Sequence, residues 1–535
     1  MTDSTHTIFQ SAKRFFSGTL LSRLSGMIRD ISMAYAFGTE ASIASFMVAY
    51  RLAHLCRRLF GEGSLQSAFI PEFESIRHRD TERAFRFFRD LVISLTLFLV
   101  FFVLSLSLGI GTFLTWGNPT NDTKEILSLT LLMLPSLLFI CLFGLNASLL
   151  QCEKIYFTPA VAPLAFNCAW IAAVWILKSY KIPEAISWLA LAVIIACLSQ
   201  WLVTIPQTFS ILKKNLSTPL RAELRKSFFS TDVIKLGKPF LLGMIGVMAS
   251  QINAAIDAIF GRYAELEGPA FLWYAIRIQQ LPLALFGIAI AGALLPPLTR
   301  ALKAQNWALY YQFLNDAVLY TCTIMIPFTA AIFVLGYSSV NLIFGHGNFH
   351  ASSVIGTTKC LWGYGIGLLP STLILLLAPA CYAQNNYRLP AIASILNMIL
   401  NFSLNYMFII FFGWGATSVA VATSLSAWVN VFFLGIFLNN KEKSWMVFKT
   451  NPIFLKIFFI TFIAFIGTEA SKHFFHQSTI LNVLNSNIFL ISFSEQLIEL
   501  IIQLSIFIFF WISSCCLFGV SLKSHSSEPN FMLKT

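Results

Sequence analysis

Charge is scarce in this sequence. Asp, Glu, Lys and Arg together make up 11% of the 535 residues, whereas about 25% is usual for a soluble domain. Hydrophobic residues account for 57%, and the mean hydropathy is +0.74. This composition excludes a soluble enzyme with a membrane anchor and predicts an all-α polytopic membrane protein.

Patterns for catalysis and metal binding are missing as well. The sequence has no closely spaced acidic pair suited to Mg²⁺, no phosphate-binding loop, and no metal-type spacing among its ten cysteines. The polar start Met1–Gln10 lacks the pattern of a cleavable signal peptide, so the first apolar segment should remain as a span. We therefore expect no enzymatic activity and no cofactor, apart from a coupling cation or the membrane potential as driving force.

Long uncharged runs are abundant. Leu91–Trp116 and Ala317–Gly345 are two of several that exceed the roughly 20 residues of a spanning helix. With less apolar segments included, the sequence predicts about 14 spans, at residues 17–37, 42–70, 91–116, 126–151, 155–177, 185–212, 236–262, 268–299, 317–340, 361–384, 389–412, 415–438, 452–470 and 497–519.

The distribution of Lys and Arg predicts the topology. With the N-terminus inside, 24 of them fall in inside segments and 6 in outside segments. Basic residues favour the cytoplasmic side, so both termini are predicted to be cytoplasmic. The net charge of +12 then reflects topology and contact with anionic membrane phospholipid rather than binding to nucleic acid.

The sequence contains a weak internal repeat. A shift of 226 residues aligns Ala49–Leu52 with Ala275–Ile278 and places Pro71 on Pro297. Paired lobes with a site at their interface are a transporter architecture. The repeat predicts an N-terminal lobe at residues 1–230, a C-terminal lobe at 231–440, and two extra helices with a cytoplasmic tail at 441–535.

Several arginines lie inside predicted spans. A charge at the bilayer centre costs about 2.5–3.5 kcal/mol on insertion scales, so these groups should face a watery cavity. Guanidinium groups bind phosphate oxygens in pairs, which favours an anionic substrate such as a diphosphate. The arginines in question are Arg23, Arg29, Arg51, Arg57, Arg58 and Arg277.

Structural alternatives stay open for these charges. Arg29 can pair with Asp30, and Glu62 can pair with a second-span arginine, which would only lock helices together. Arg51 can snorkel to a membrane face. Asp257, in an otherwise apolar span, is a candidate for cation coupling or an arginine partner. Asn401 could ligate an ion, but hydrogen bonding between helices is favoured.

Three segments form recognisable motifs: Ser22-Arg23-x-x-Gly26-x-x-Arg29-Asp30, Leu55-Cys56-Arg57-Arg58-Leu59-Phe60-Gly61-Glu62-Gly63, and Tyr274-Ala275-Ile276-Arg277. In these motifs the chain resembles the MurJ (MviN) family of lipid II flippases. The resemblance implies two six-helix lobes and two further helices around a cavity with alternating access. It also implies a substrate site made by Arg23, Arg29, Arg57 and Arg277, with Ser22 and Glu62 beside them.

Two positions depart from the family pattern. Where the family often has Asp, this chain has Ala44 in the second span and Ile276 before the eighth-span arginine. The loss of two carboxylates makes the expected cavity more cationic, and no salt-bridge gate can be transferred from relatives.

The resulting hypothesis is a flippase of the bacterial cytoplasmic membrane. It would move an undecaprenyl-diphosphate-linked peptidoglycan precursor from the inner to the outer leaflet, with wall-synthesis or division proteins as possible partners. The alternatives are an ion-coupled exporter of another polysaccharide-lipid or drug, and a non-transporting scaffold of the wall-synthesis machinery.

Overall fold

The computed structural model describes residues 5–60, 64–216, 230–384, 386–438, 452–477 and 493–518. Within these ranges the chain forms 19 α-helices and two π-helical segments, Leu283–Gly287 and Met407–Phe411, with no β-strand. The predicted all-α class is confirmed. The α-helices are α1 (Thr5–Phe37), α2 (Ala41–Ala53), α3 (Arg57–Phe60), α4 (Ser64–Arg77), α5 (Thr81–Trp116), α6 (Asn121–Met133), α7 (Ser136–Cys152), α8 (Phe157–Leu177), α9 (Ile182–Asn215), α10 (Thr231–Ala264), α11 (Gly268–Pro282), α12 (Ile288–Lys303), α13 (Trp307–Phe344), α14 (Ala351–Ile366), α15 (Leu368–Ala383), α16 (Arg388–Tyr406), α17 (Thr417–Leu438), α18 (Pro452–Gln477) and α19 (Phe493–Leu517).

Eight helices in the described ranges are long and apolar enough to cross a membrane, and two bent pairs, α6–α7 and α14–α15, raise the number to ten. These ten coincide with the third to sixth and the ninth to fourteenth predicted spans. By length and composition, the described residues therefore contain fewer spanning helices than the 14 predicted. The other four predicted spans coincide with α1, α2–α4, α10 and α11–α12, the segments that carry the arginines and Asp257, and as spans they remain predictions.

The surface of α5 shows why these helices suit a bilayer. Phe101, Leu104 and Leu108 are 71%, 63% and 70% exposed. A contiguous apolar surface of this kind is unfavourable in water, but costs nothing against lipid tails.

The second predicted span, at residues 42–70, is not one helix. Helix α2 ends at Ala53, and residues 54–56 form a turn before α3. The turn is held by i→i+3 hydrogen bonds, and the His54 ring bonds the carbonyl of Tyr50 at 3.1 Å. The side chain of Arg58 and all of Glu62 lie outside the described residues.

The polar segment between the second and third predicted spans does not form a helix of its own. Helix α4 ends at Arg77, and α5 runs without interruption from Thr81 to Trp116. Asp80 caps α5 by accepting a hydrogen bond from the backbone N–H of Arg83 at 3.0 Å, which satisfies one of the first amides of the helix. The basic residues after Asp80 are thus the first turns of a spanning helix.

The described residues group into two compact units. The first comprises Met1–Arg277, Phe344–Cys360 and Ser394–Ala422, and the second comprises Ile278–Ile343, Leu361–Ala393 and Thr423–Thr535. The predicted lobes at 1–230 and 231–440 and the segment 441–535 remain predictions. The second unit has an apolar core, in which Tyr310 donates a hydrogen bond from its hydroxyl to the carbonyl of Ala380 at 2.9 Å.

Within the first unit, the turn between α1 and α2 is clamped by the loop before α14. Asn348 donates its backbone N–H to the carbonyl of Tyr35 at 3.0 Å and its side-chain amide to the carbonyl of Ala36 at 2.6 Å. Gly38 and Gly347 adopt φ values of +61° and +63°, and a Cβ on either would collide with the backbone of the opposite segment. Only glycine allows both the positive φ and this close approach.

Candidate substrate-binding site

A single carboxylate in the first unit joins two of the predicted arginines. Arg29 donates to Oδ1 of Asp30 from Nε at 3.0 Å and from Nη2 at 2.8 Å. The Nε of Arg277, on α11, lies 2.9 Å from Oδ2 of the same Asp30. Arg29 also donates from Nη1 to Oδ1 of Asn167 on α8 at 3.2 Å. The predicted Arg29–Asp30 pair is present, and it is shared with an arginine far away in the sequence.

Arg51 is the third guanidinium in this region. It donates from Nη1 to the carbonyl of Ala254 on α10 at 2.9 Å, and its Cζ lies 5.8 Å from the ring centroid of Trp273. The same ring lies 4.7 Å from Cζ of Arg277. The internal repeat, with its shift of 226 residues, had aligned Arg51 with Arg277. It therefore indicated that Arg51 belongs to the site, although this side chain was also expected to snorkel to a membrane face. We call Arg29, Asp30, Arg51 and Arg277 the arginine cluster.

Aromatic side chains line the arginine cluster, and three of them contact one another in series. Trp170 lies 5.0 Å from Cζ of Arg29, measured to its ring centroid. Tyr50 contacts Trp170 and Trp273 edge to face, with ring centroids 5.2 and 5.7 Å apart. We call Trp170, Tyr50 and Trp273 the aromatic chain.

The charges of the arginine cluster do not cancel. It contains three guanidinium groups and one carboxylate, so its net charge is +2 within the described part of the chain. The Asp30 side chain is 3% exposed and that of Arg29 11%, whereas that of Arg277 is 31% exposed. An approaching anion would therefore meet Arg277 before Arg29.

Other predicted site residues lie outside the arginine cluster. Arg23 is exposed on α1. Ser22 contributes its backbone carbonyl, which accepts hydrogen bonds from Ser25 and from Asn167 at 2.9 and 3.2 Å. Arg57 is half-buried at the start of α3, and Glu62 lies outside the described residues.

Asp257 sits in a second polar cluster, also within the first unit. Its Oδ1 accepts hydrogen bonds from the side-chain amides of Asn401 at 2.7 Å and Asn405 at 3.1 Å. Asn401 also bonds Oδ1 of Asn253 at 2.8 Å, which confirms the expected hydrogen bonding between helices. We call these four residues the Asp257 cluster.

The Asp257 cluster has the chemistry of a hard-cation site. The buried Oδ1 of Asn405 has no hydrogen-bond donor within the described part of the chain. Carboxylate and amide oxygens are ligands that hard cations accept. A cation between Asp257 and Asn405 would satisfy this oxygen. No group of three or more His, Cys, Asp and Glu side chains suited to a metal occurs among the described residues.

Two solved structures share this fold. A multidrug resistance transporter of the MATE family and MOP superfamily, in an inward-facing conformation, matches with a TM-score of 0.63 and 13% identity, over 82% of this chain and 100% of that one. A lipid II flippase MurJ in an inward closed conformation matches with a TM-score of 0.73 and 23% identity, over 94% and 98%. The described helices thus place the chain in the structural class of polytopic helical proteins that share this fold.

The sequence places the chain within that class. The family model described as lipid II flippase MurJ matches residues 33–514. A probable lipid II flippase MurJ of Chlamydia muridarum is 31% identical over 433 residues, which cover 81% of this chain and 78% of the relative. The chain belongs to the lipid II flippase MurJ family, and the predicted resemblance and transporter function, rather than an enzyme activity, are confirmed.

Proposed function

We propose that this chain moves lipid II from the inner to the outer leaflet of the bacterial cytoplasmic membrane by alternating access, with both termini in the cytoplasm. The observation that carries the proposal is the excess of guanidinium groups in the arginine cluster. Contacts with membrane phospholipid and with wall-synthesis or division proteins remain predictions.

The diphosphate of the substrate is the group that the arginine cluster suits. Guanidinium presents planar paired donors and stays charged at every physiological pH. The partly exposed Arg277 would bind a phosphate oxygen first, and Asp30 would keep Arg29 oriented beside it. A charge-assisted hydrogen bond of this type contributes about 1.5–3 kcal/mol. The bound anion would offset the positive charge that otherwise opposes passage through the membrane.

Arg23, Ser22, Arg57 and Glu62 are proposed to contact the substrate at another stage of transport. Arg23 is exposed in this conformation, and Arg57 begins a four-residue helix after a turn. Alternating access changes the neighbours of such residues, so binding by them would accompany a different state of the protein.

Asp257 is proposed to bind the coupling cation. The support is the buried carboxylate together with the unsatisfied Oδ1 of Asn405. The membrane potential is the alternative source of energy, since the transported headgroup is charged. The two are separated by measuring transport in vesicles with a cation gradient and no potential.

The test of the proposed function is a depletion and rescue experiment. Cells depleted of the protein receive Arg277→Ala, and lipid II on the outer leaflet is measured. Loss of one charged hydrogen bond should reduce transport about 10- to 100-fold. The matched control is Arg300→Ala, which removes an exposed arginine of α12 and should rescue fully. Full rescue by stably inserted Arg277→Ala would instead favour a non-transporting scaffold.

A further inference from the structure

The arginine cluster places three like charges close together with one carboxylate to hold them. Asp30 pairs with Arg29 and Arg277, while Arg51 is held by the carbonyl of Ala254. Like charges repel at this range, so side chains as long as arginine need further contacts to stay in place. Arg29 has one further hydrogen bond, to Oδ1 of Asn167, and the other close contacts shown for the three guanidinium groups are with aromatic faces.

We propose that the aromatic chain positions the guanidinium groups in place of further carboxylates, with Trp273 as the residue that holds Arg51 and Arg277 together. This inference rests on the proposed function, in which those guanidinium groups bind the diphosphate. Trp273 and Trp170 are positioning residues, because they act on the substrate through the arginines.

Geometry supports Trp273 as the central member. Its ring centroid lies 4.7 Å from Cζ of Arg277 and 5.8 Å from that of Arg51, both within the range of a cation–π interaction. Trp273 is 8% exposed, so little water competes for its face. Tyr50 packs edge to face against Trp273, which fixes the plane of the indole.

The choice of an aromatic ring over a carboxylate has a chemical consequence. A carboxylate neutralises a guanidinium and occupies its paired donors, so an incoming phosphate must displace it. An aromatic face attracts the cation without taking up its in-plane N–H donors. Arg51 and Arg277 can thus be held in position while most of their donors stay available to an anion.

The same arrangement recurs at the other end of the aromatic chain. Trp170 is 2% exposed, and its ring lies 5.0 Å from Cζ of Arg29. Its indole N–H points to Sδ of Met33 at 3.3 Å, which fixes the orientation of the ring. Trp170 and Trp273 therefore support guanidinium groups on both sides of Asp30.

The test replaces Trp273 in the full-length protein with indoles that carry one, two or three fluorine atoms. Fluorine withdraws electron density from the ring face while the shape of the side chain is kept. Binding of lipid II is measured in vesicles of neutral phosphatidylcholine, so that anionic lipid does not compete. We expect binding to weaken with each fluorine, to about fivefold for three.

Further variants make the outcome decisive. Fluorination of Trp428, whose indole N–H bonds the carbonyl of Ile366 at 3.1 Å, should leave binding unchanged. Trp273→Phe should retain more binding than Trp273→Leu, since only the former keeps an aromatic face. Arg277→Ala serves as the test of the proposed function itself.

The outcomes separate the two claims. Binding that is insensitive to fluorine at Trp273 but lost in Arg277→Ala would overturn the positioning role and leave the proposed function standing. Binding that survives Arg277→Ala would overturn both. A graded loss at Trp273 together with loss in Arg277→Ala supports both.

Discussion

The arginine cluster and the Asp257 cluster lie in the same unit and each contain one buried aspartate, but they use it in opposite ways. Asp30 is the single carboxylate among three guanidinium groups, and its two oxygens contact Arg29 and Arg277. Asp257 receives hydrogen bonds from the neutral amides of Asn401 and Asn405. The first cluster is arranged to hold excess positive charge and suits an anion. The second concentrates negative charge and suits a cation.

The same substitution should therefore have very different effects at the two sites. Asp30→Asn leaves buried Arg29 and its neighbour Arg277 without a countercharge, and breaking a buried pair in this way costs about 3–5 kcal/mol. Thermal unfolding in detergent measures the loss. The matched control is Asp232→Asn, which breaks the pair with the exposed Arg83 and should cost at most about 1 kcal/mol. Equal effects of the two substitutions would contradict the role of Asp30.

Gly347→Ala is expected to be the next most damaging change. The residue would have a positive φ that alanine tolerates poorly, and its Cβ would meet the carbonyl of Tyr35. A cost of about 1–3 kcal/mol is expected, because the clamp must move apart or the backbone must change. Unfolding of Gly413→Ala gives the comparison, since that glycine also has a positive φ but open space around it. If Gly347→Ala lowers the free energy of unfolding no more than Gly413→Ala does, the contact between the two loops can adjust at little cost.

Asp257→Asn should hardly change stability, because Asn keeps the oxygen that accepts from Asn401 and Asn405. We expect a loss below about 1.5 kcal/mol, the net value of one ordinary hydrogen bond. Transport, however, should lose its dependence on the coupling cation. The measurement is lipid II translocation in vesicles with and without a cation gradient. A variant that still responds to the gradient would remove Asp257 from the coupling site.

Arg51→Lys tests whether the third charge of the arginine cluster acts through its geometry or only through its sign. Lysine keeps the charge but lacks the planar fork that stacks on Trp273 and bonds Ala254. We expect lipid II to bind about threefold to tenfold more weakly, in line with the loss of one cation–π contact. Unchanged binding would show that a point charge suffices at this position.

The smallest effect is expected at Glu267, in the turn before α11. Burial, together with the charges of Glu265 and Glu40, raises the pKa of its carboxyl above the ordinary value of 4.5. A raised folded-state pKa contributes stability that is present below the ordinary pKa and is lost as pH rises through the folded-state value. Glu267→Gln should therefore lose less stability than the wild type as the pH rises above 4.5. Identical pH profiles of thermal unfolding would contradict the shift.

Much of the fold was predictable because hydropathy is a local property. A run such as Leu91–Trp116 needs no partner to be recognised as a spanning helix, and α5 contains it whole. The break after Ala53 was not predictable in the same way. It depends on the His54 ring, which bonds the Tyr50 carbonyl and lies 3.2 Å from the hydroxyl of Ser136, a residue distant in sequence.

The candidate site, like the fold, was predictable only in part. The sequence by itself determined the class of protein, its family, and the presence of arginines with few carboxylates to match them. Only the tertiary structure decided that Arg29 and Arg277 meet at Asp30, that Arg51 shares the Trp273 ring with Arg277, and that aromatic rings from α2, α8 and α11 line these groups. The physical reason is that the cost of burying a charge can be read from the residue type and the apolar segment around it. The groups that offset this cost lie on other helices, and only the packing of the helices brings them within a few ångströms.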